Sequence, residues 1–125
     1  MTAANFSVAA DSGMEKSRKA QLTQEFKSLL VQQMKTTKSP AAYAEKLNVS
    51  VSYLNEALKK LTGLPVSYWI MQEVMLEAKR LLYYSQLNVK EIAHELGYED
   101  HTYFQRLFKQ HMNITPLAFR ARYRE

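Results

Sequence analysis

The stretch Asn88–Arg120, NVKEIAHELGYEDHTYFQRLFKQHMNITPLAFR, decides the fold. It spells a helix, a tight turn, a second helix, a capped stop and the start of a third helix. Ala93 and Leu96 sit three apart on the inner side of the first helix. Gly97 follows at once, where a helix C-terminus needs a residue that tolerates a left-handed backbone. Asp100 is placed to cap the second helix. From His101 to Met112, the side chains of Phe104, Leu107, Phe108 and Met112 recur on one side at helical spacing. Asn113 then stops the helix, again with a residue that accepts the left-handed region. Thr115-Pro116 opens the next helix in the preferred order, cap before proline. Two short helices joined by a turn of a few residues are a helix-turn-helix unit.

An earlier stretch repeats this pattern. Ala44, Leu47 and Asn48 match Ala93, Leu96 and Gly97 at an offset of 49. Tyr53, Leu54, Leu58, Lys59 and Gly63 match Tyr103, Phe104, Phe108, Lys109 and Asn113 at an offset of 50, so the second copy has one extra turn residue. Leu64 and Trp69 continue the match to Ile114 and Phe119. An ordered series that includes the stop residue points to a duplicated unit. In the first copy, Ser39-Pro40 opens a helix running to about Leu47. Ser50 or Ser52 caps a further helix over about 51–61, with Leu54, Leu58 and Leu61 expected in the core.

Between the copies, residues 65–85 read as one long helix carrying Trp69, Ile70, Val74, Leu76, Ala78, Leu81 and Leu82. Ahead of them, 17–35 reads as a helix with Leu22, Phe26, Leu29, Leu30 and Met34 in an apolar stripe. Residues 1–16 are small, polar and aperiodic, and read as a disordered tail or as the linker from an upstream domain. The expected organisation is therefore all-α: a tail (1–16), a first unit (17–64), a connecting helix (65–85) and a second unit (86–125).

Composition supports this and narrows the function. Hydrophobic residues make up 46% and charged ones 23%, while only three Gly and three Pro occur and few runs alternate with period two. The absence of cysteine removes disulfides, thiol catalysis and cysteine metal sites, and fits a reducing compartment. The N-terminus lacks the basic start and apolar centre of a secretion signal, and no apolar run approaches the roughly 18 residues of a membrane span. No Gly-rich phosphate loop is present, and His94-Glu95 is followed by Tyr98 where a zinc protease would carry its second histidine. His94, His101 and His111 are scattered, so no catalysis, metal or cofactor is expected. Tyr53, Tyr68, Tyr83, Tyr84, Tyr98 and Tyr103 are expected in or at the edge of the core rather than as stacking platforms.

A net charge of +5 is compatible with a polyanionic partner. The connecting helix of about 19 residues spans about 28 Å, near the ~34 Å between successive major grooves on one face of B-DNA. One chain would then seat two recognition helices, about 51–61 and 101–112, in neighbouring grooves of double-stranded DNA. The outward residues of these helices are Ser52, Asn55, Glu56 and Lys59, then His101, Thr102, Gln105 and Arg106. Arginine suits guanine, Asn and Gln suit adenine, and a carboxylate accepts from cytosine. Lys59, Lys60, Lys90 and Lys109, with Ser50 and the helix N-termini, suit phosphates. The charge excess is concentrated ahead of the first helix pair: six basic against three acidic residues in 1–40, three against two in 41–64 and six against five in 89–125.

The segment IAHELGYEDHTYFQRLFKQHMNITPLAFR resembles the DNA-binding domain of the AraC/XylS family of bacterial transcription regulators. It is similar to that family's IA-x-x-LGF start, YF-x-R-x-FK helix and G-x-TP-x-x-YR ending. YAEKLNVSVSYLNEALKKLTG is similar to the family's first unit, and YWIMQEVMLEAKRLL to its connecting helix, so the likeness covers about residues 22–124. The resemblance implies a seven-helix double helix-turn-helix that binds promoter DNA in the cytoplasm and contacts RNA polymerase. It places base reading on Ser52, Asn55 and Glu56, then on His101, Thr102 and Arg106. It also implies a separate N-terminal sensing or dimerisation domain in most relatives, the isolated DNA-binding domain being monomeric. Asn113 stands for the usual Gly, Phe119 for the common Tyr, and Glu56 where basic or amide residues are frequent. The alternative is a helical protein-interaction module that no longer reads DNA; pairing of both Arg106 and Lys109 with Glu95 or Glu99 would favour it.

Overall fold

The computed structural model describes residues 3–124, with side chains from Gly13 onward, and among them forms seven helices and no strand. These are α1 (Ala3–Gln33), α2 (Pro40–Lys46), α3 (Val51–Thr62), α4 (Val66–Tyr84), α5 (Val89–Glu95), α6 (His101–Met112) and α7 (Pro116–Tyr123). Helices α2 and α3 make the first helix-turn-helix and α5 and α6 the second, with α4 between them.

The repeat extends to the backbone. Helix α2 ends with Asn48 at φ 60° and α5 with Gly97 at φ 90°. In the first turn the Asn48 N–H donates to the Glu45 carbonyl and the Val49 N–H to the Ala44 carbonyl. In the second, Gly97 donates to His94 and Tyr98 to Ala93. Both turns are thus the paired closure that satisfies the last carbonyls of a helix through one left-handed residue. The far ends match as well, for Gly63 (φ 80°) closes α3 and Asn113 (φ 60°) closes α6. All four left-handed residues are Gly or Asn, the types that enter this region at least cost.

The starts are set by side-chain caps. Ser39, Ser50, Asn88, Asp100 and Thr115 each accept a backbone N–H of the helix they precede. Pro65 stands at the start of α4 and has no side chain able to do this. The Val66 N–H is satisfied instead by Asn55 Oδ1 of α3, at 2.9 Å. At the other end of α4, Arg120 of α7 donates to the carbonyls of Leu82 (2.9 Å), Leu81 and Ser85.

Helix α4 buries Val66, Ile70, Val74, Met75, Ala78, Leu81 and Leu82 and packs against each of the other six helices. Phe26 and Tyr43 meet edge to face above the first unit, and Phe104, Phe108 and Phe119 stack in series in the second. Burial raises the Tyr43 hydroxyl to about 12, and it donates to the Thr37 carbonyl at 2.7 Å. Two leucines expected in the core are exposed. Leu76 lies about 200° around the helix from both Val74 and Ala78, so it faces away from their stripe. Leu61, in the last turn of α3, is about half exposed. Of the tyrosines, Tyr53 and Tyr98 are half-buried, whereas Tyr68, Tyr83, Tyr84 and Tyr103 are exposed.

Helix α1 also departs from expectation. It begins at Ala3, so residues 3–16 continue the helix rather than forming an unstructured start; Met1 and Thr2 lie outside the described residues. No proline interrupts this stretch, and a helix already seated on α3 extends at little further cost. The far end of α1 meets the second unit. Lys35, just beyond α1, pairs with Glu95 at 2.9 Å, and Lys38 lies 4.9 Å over the Tyr98 ring while donating to the Met34 and Lys35 carbonyls. Burial holds the Lys38 ammonium below the usual lysine range.

At this joint a Cβ on Gly97 would collide with the Lys35 carbonyl oxygen, whereas one on Gly63 would meet nothing. Gly97→Ala is therefore expected to cost at least about 3 kcal/mol, from a strained φ plus the collision, and Gly63→Ala about 1 kcal/mol from strain alone. Urea unfolding of the two variants checks this, and equal losses would contradict the close contact.

Candidate nucleic-acid interface

Helices α3 and α6 are each 12 residues long and bury the same register: Leu54 and Leu58 in one, Phe104 and Phe108 in the other. The opposite side of each is polar and exposed. On α6 it consists of Thr102, Gln105, Arg106 and Lys109, with His101 half-buried at its start. On α3 it consists of Ser52, Glu56, Lys59 and Lys60. Asp100 Oδ1 accepts from the N–H groups of Thr102 (2.9 Å) and Tyr103 (3.3 Å), which fixes where the α6 face begins. Ser50 Oγ does the same for α3 through the Tyr53 N–H at 3.0 Å.

On α6 the cations are available. Among the described residues neither Arg106 nor Lys109 forms an ion pair, and the Arg106 guanidinium lies 5.9 Å from the Tyr103 ring centre. Glu95 is turned to Lys35, whose hydrogen bond and charge hold its carboxyl below the usual range. The diversion that would favour an interaction module is not present there. A cation–π contact of this kind holds a guanidinium without using its donors.

The α3 face differs from expectation in two places. Asn55 is half-buried, and its carbonyl oxygen is committed to the Val66 N–H. Bidentate reading of adenine needs both the oxygen and the amino group, and here the oxygen is spent on capping α4. Glu56 is not a free carboxylate, since Lys19 of α1 reaches it at 3.1 Å. Lys19 is 12% exposed and is flanked by Glu15 at 4.0 Å, while the Tyr53 hydroxyl donates to Glu15 at 2.7 Å. The hydrogen bond to Glu56 raises the Lys19 ammonium, and that to Glu15 raises the Tyr53 hydroxyl. Lys19 and Glu15 carried no signal in the sequence, because 37 and 38 residues separate them from their partners on α3.

Lys90, expected at a phosphate, lies on α5 and lines a recess with Glu91, Glu95 and Glu99. That surrounding is acidic and weakens attraction to a polyanion. No three His, Asp or Glu side chains come together as a metal site among the described residues, and none of the described helices is long and apolar enough to cross a membrane.

Comparison with known proteins matches residues 43–122 to the family described as "Helix-turn-helix domain". The chain belongs to the AraC-type helix-turn-helix family. Among AraC-type relatives, the Msm operon regulatory protein of Streptococcus mutans is 35% identical over 77 residues, which are 62% of this chain and 28% of that protein. The chain thus spans little more than a quarter of that relative's length. The C-terminal domain of AraT, a response regulator from Geobacillus stearothermophilus, superimposes with a TM-score of 0.78 at 26% identity, covering 83% of this chain and 87% of that one. The fold is also that of the AdpA DNA-binding domain solved with a target DNA (TM-score 0.73, 23% identity, 81% and 91% covered).

Because Asn55 replaces the missing cap of α4, Asn55→Ala is expected to lower stability by about 1–2 kcal/mol. It should leave base preference unchanged. Chemical denaturation and binding-site selection on the same variant check both halves; full stability with an altered preference would return Asn55 to the reading face.

Proposed function

We propose that the chain is the DNA-reading part of a bacterial transcription regulator. It seats α3 and α6 in successive major grooves of promoter DNA. The observation that carries this reading is the pair of equally capped units, each with a polar helix face in the same register, set on one 19-residue helix. Two reading helices on one chain let a monomer span two grooves, a task that a single helix-turn-helix meets by dimerising. Support comes from relatives named as transcriptional activators, among them RhaS of Escherichia coli, and from AdpA, solved with its target DNA.

In this reading His101, Thr102, Gln105 and Arg106 read bases from α6, and Ser52 and Glu56 from α3. Lys59, Lys60 and Lys109 hold phosphates, helped by Ser50 and the N-termini of α3 and α6. The protein works in the cytoplasm, on the nucleoid, and contacts RNA polymerase from the promoter. Where the chain is part of a longer regulator, the remaining parts sense an effector or bring two copies together, and this part binds as a monomer.

Arg106→Ala is expected to weaken binding to the preferred site by about 1–3 kcal/mol and to relax preference at one base pair. Lys109→Ala is expected to weaken binding to all sequences alike and to reduce the slope of log affinity against log salt by about 1. Fluorescence-anisotropy titrations at several salt concentrations read both. Equal loss for Arg106→Ala on preferred and random duplexes, or an unchanged slope for Lys109→Ala, would contradict the assigned roles.

A further inference from the structure

A carboxylate on the outward face of a DNA-reading helix is repelled by the phosphates on either side, unless its charge is met and its remaining oxygen finds a donor. Glu56 stands in this position. It occupies the register of Arg106 in the other copy, 50 residues on. Its Oε2 is held by Lys19 at 3.1 Å, its side chain is 61% exposed, and no protein group holds its Oε1 among the described residues.

The holder is itself held. Lys19 is drawn toward Glu15 at 4.0 Å and lies 6.0 Å over the Tyr53 ring, whose hydroxyl donates to Glu15. A lysine at 12% exposure with these neighbours has little freedom to follow a passing phosphate. Tyr53 and Tyr103 are equivalent residues of the repeat, and both support the group at the reading position. Tyr103 lies beneath Arg106 directly, while Tyr53 acts through Lys19.

We propose that Lys19 is a positioning residue for base reading by the first unit: it cancels the charge of Glu56 and aims its Oε1 at the exocyclic amino group of a cytosine in the major groove. The inference rests on the DNA-reading function proposed above and adds to it a residue of α1, outside both the α2–α3 and α5–α6 pairs, and a base class for the α3 half-site. A carboxylate oxygen accepts from the cytosine N4 amino group; guanine and thymine present only acceptors at their major-groove edges, and adenine sets its N7 acceptor beside its N6 amino group, where it repels a carboxylate. The two copies then read in opposite senses, cytosine through Glu56 and guanine through Arg106.

The test selects binding sites for the full 125-residue chain from a randomised duplex pool, followed by sequencing of the bound fraction. Wild type should prefer cytosine about tenfold over other bases at one position of one half-site. Glu56→Ala should abolish that preference, and Lys19→Met should reduce it several-fold while leaving the half-site read by α6 intact. Lys19→Arg should restore it, which a packing role for Lys19 does not predict. Glu56→Gln leaves Lys19 in place and should move the preference from cytosine to adenine, so the inference stays testable even where Lys19→Met does not fold. Retention of the cytosine preference in Glu56→Ala or in folded Lys19→Met would overturn the inference. Arg106→Ala is the control for the underlying reading: if it too alters no base preference, the DNA-reading function fails, whereas loss at its own half-site alone leaves that function standing and isolates the failure to Glu56 and Lys19.

Discussion

The burial of α4 is the constraint on which the rest depends. One helix supplies the core stripe for both units, from Val66 near its start to Leu82 near its end. Each unit also completes one of its termini. Asn55 of the first unit satisfies the N–H that Pro65 leaves bare, and Arg120 of the second satisfies the last carbonyls. Helix ends leave unpaired polar groups, and a cation near the final carbonyls is further favoured by the helix dipole. Desolvation and the nearby Arg124 charge lower the Arg120 guanidinium, and three carbonyl acceptors offset that cost. Neither unit can shift along α4 without exposing apolar surface and breaking its own end contact.

A second joint closes the frame. The Lys35 carbonyl rests where a side chain at residue 97 would be, Lys38 covers Tyr98, and Lys35 pairs with Glu95. The exposed ion pair contributes little by itself. The glycine contact is steric and does not weaken with salt. Together α4 and this joint hold α3 and α6 at two separate places, which is how a chain can present two reading faces at a fixed spacing.

Much of this was legible in the sequence. The duplicated unit, its extra turn residue and all four left-handed positions followed from Ala44, Leu47 and Asn48 set against Ala93, Leu96 and Gly97, and from the stops at Gly63 and Asn113. These features are local, and turn geometry restricts residue type within a few positions. What the sequence hid is long-range. Asn55 has the same helical phase as a base reader, and only its distance to Val66 shows that it caps α4. Glu56 looked out of place because its counter-charge lies on α1. Leu76 was grouped with the α4 stripe on hydrophobicity, although its phase turns it outward. The start of α1 was read from polar composition, which does not register the support that α3 gives to the helix beside it.

Among the described residues the α6 face carries unpaired cations and the α3 face a compensated carboxylate, so in the proposed function affinity rests on modest charge and on two footholds used together. The central claim is that the spacing of those footholds is built into one chain. Its most direct test moves the footholds apart on the DNA: 5 base pairs, about half a helical turn, are inserted between the two half-sites of a selected duplex, and binding is compared with the parent duplex and with a 10-base-pair insertion. A rigid pair of reading helices predicts that either insertion reduces binding to the level of a single half-site, because one foothold is turned to the opposite face or carried a full turn beyond reach. Undiminished binding to both would contradict a fixed spacing and with it the role assigned to α4.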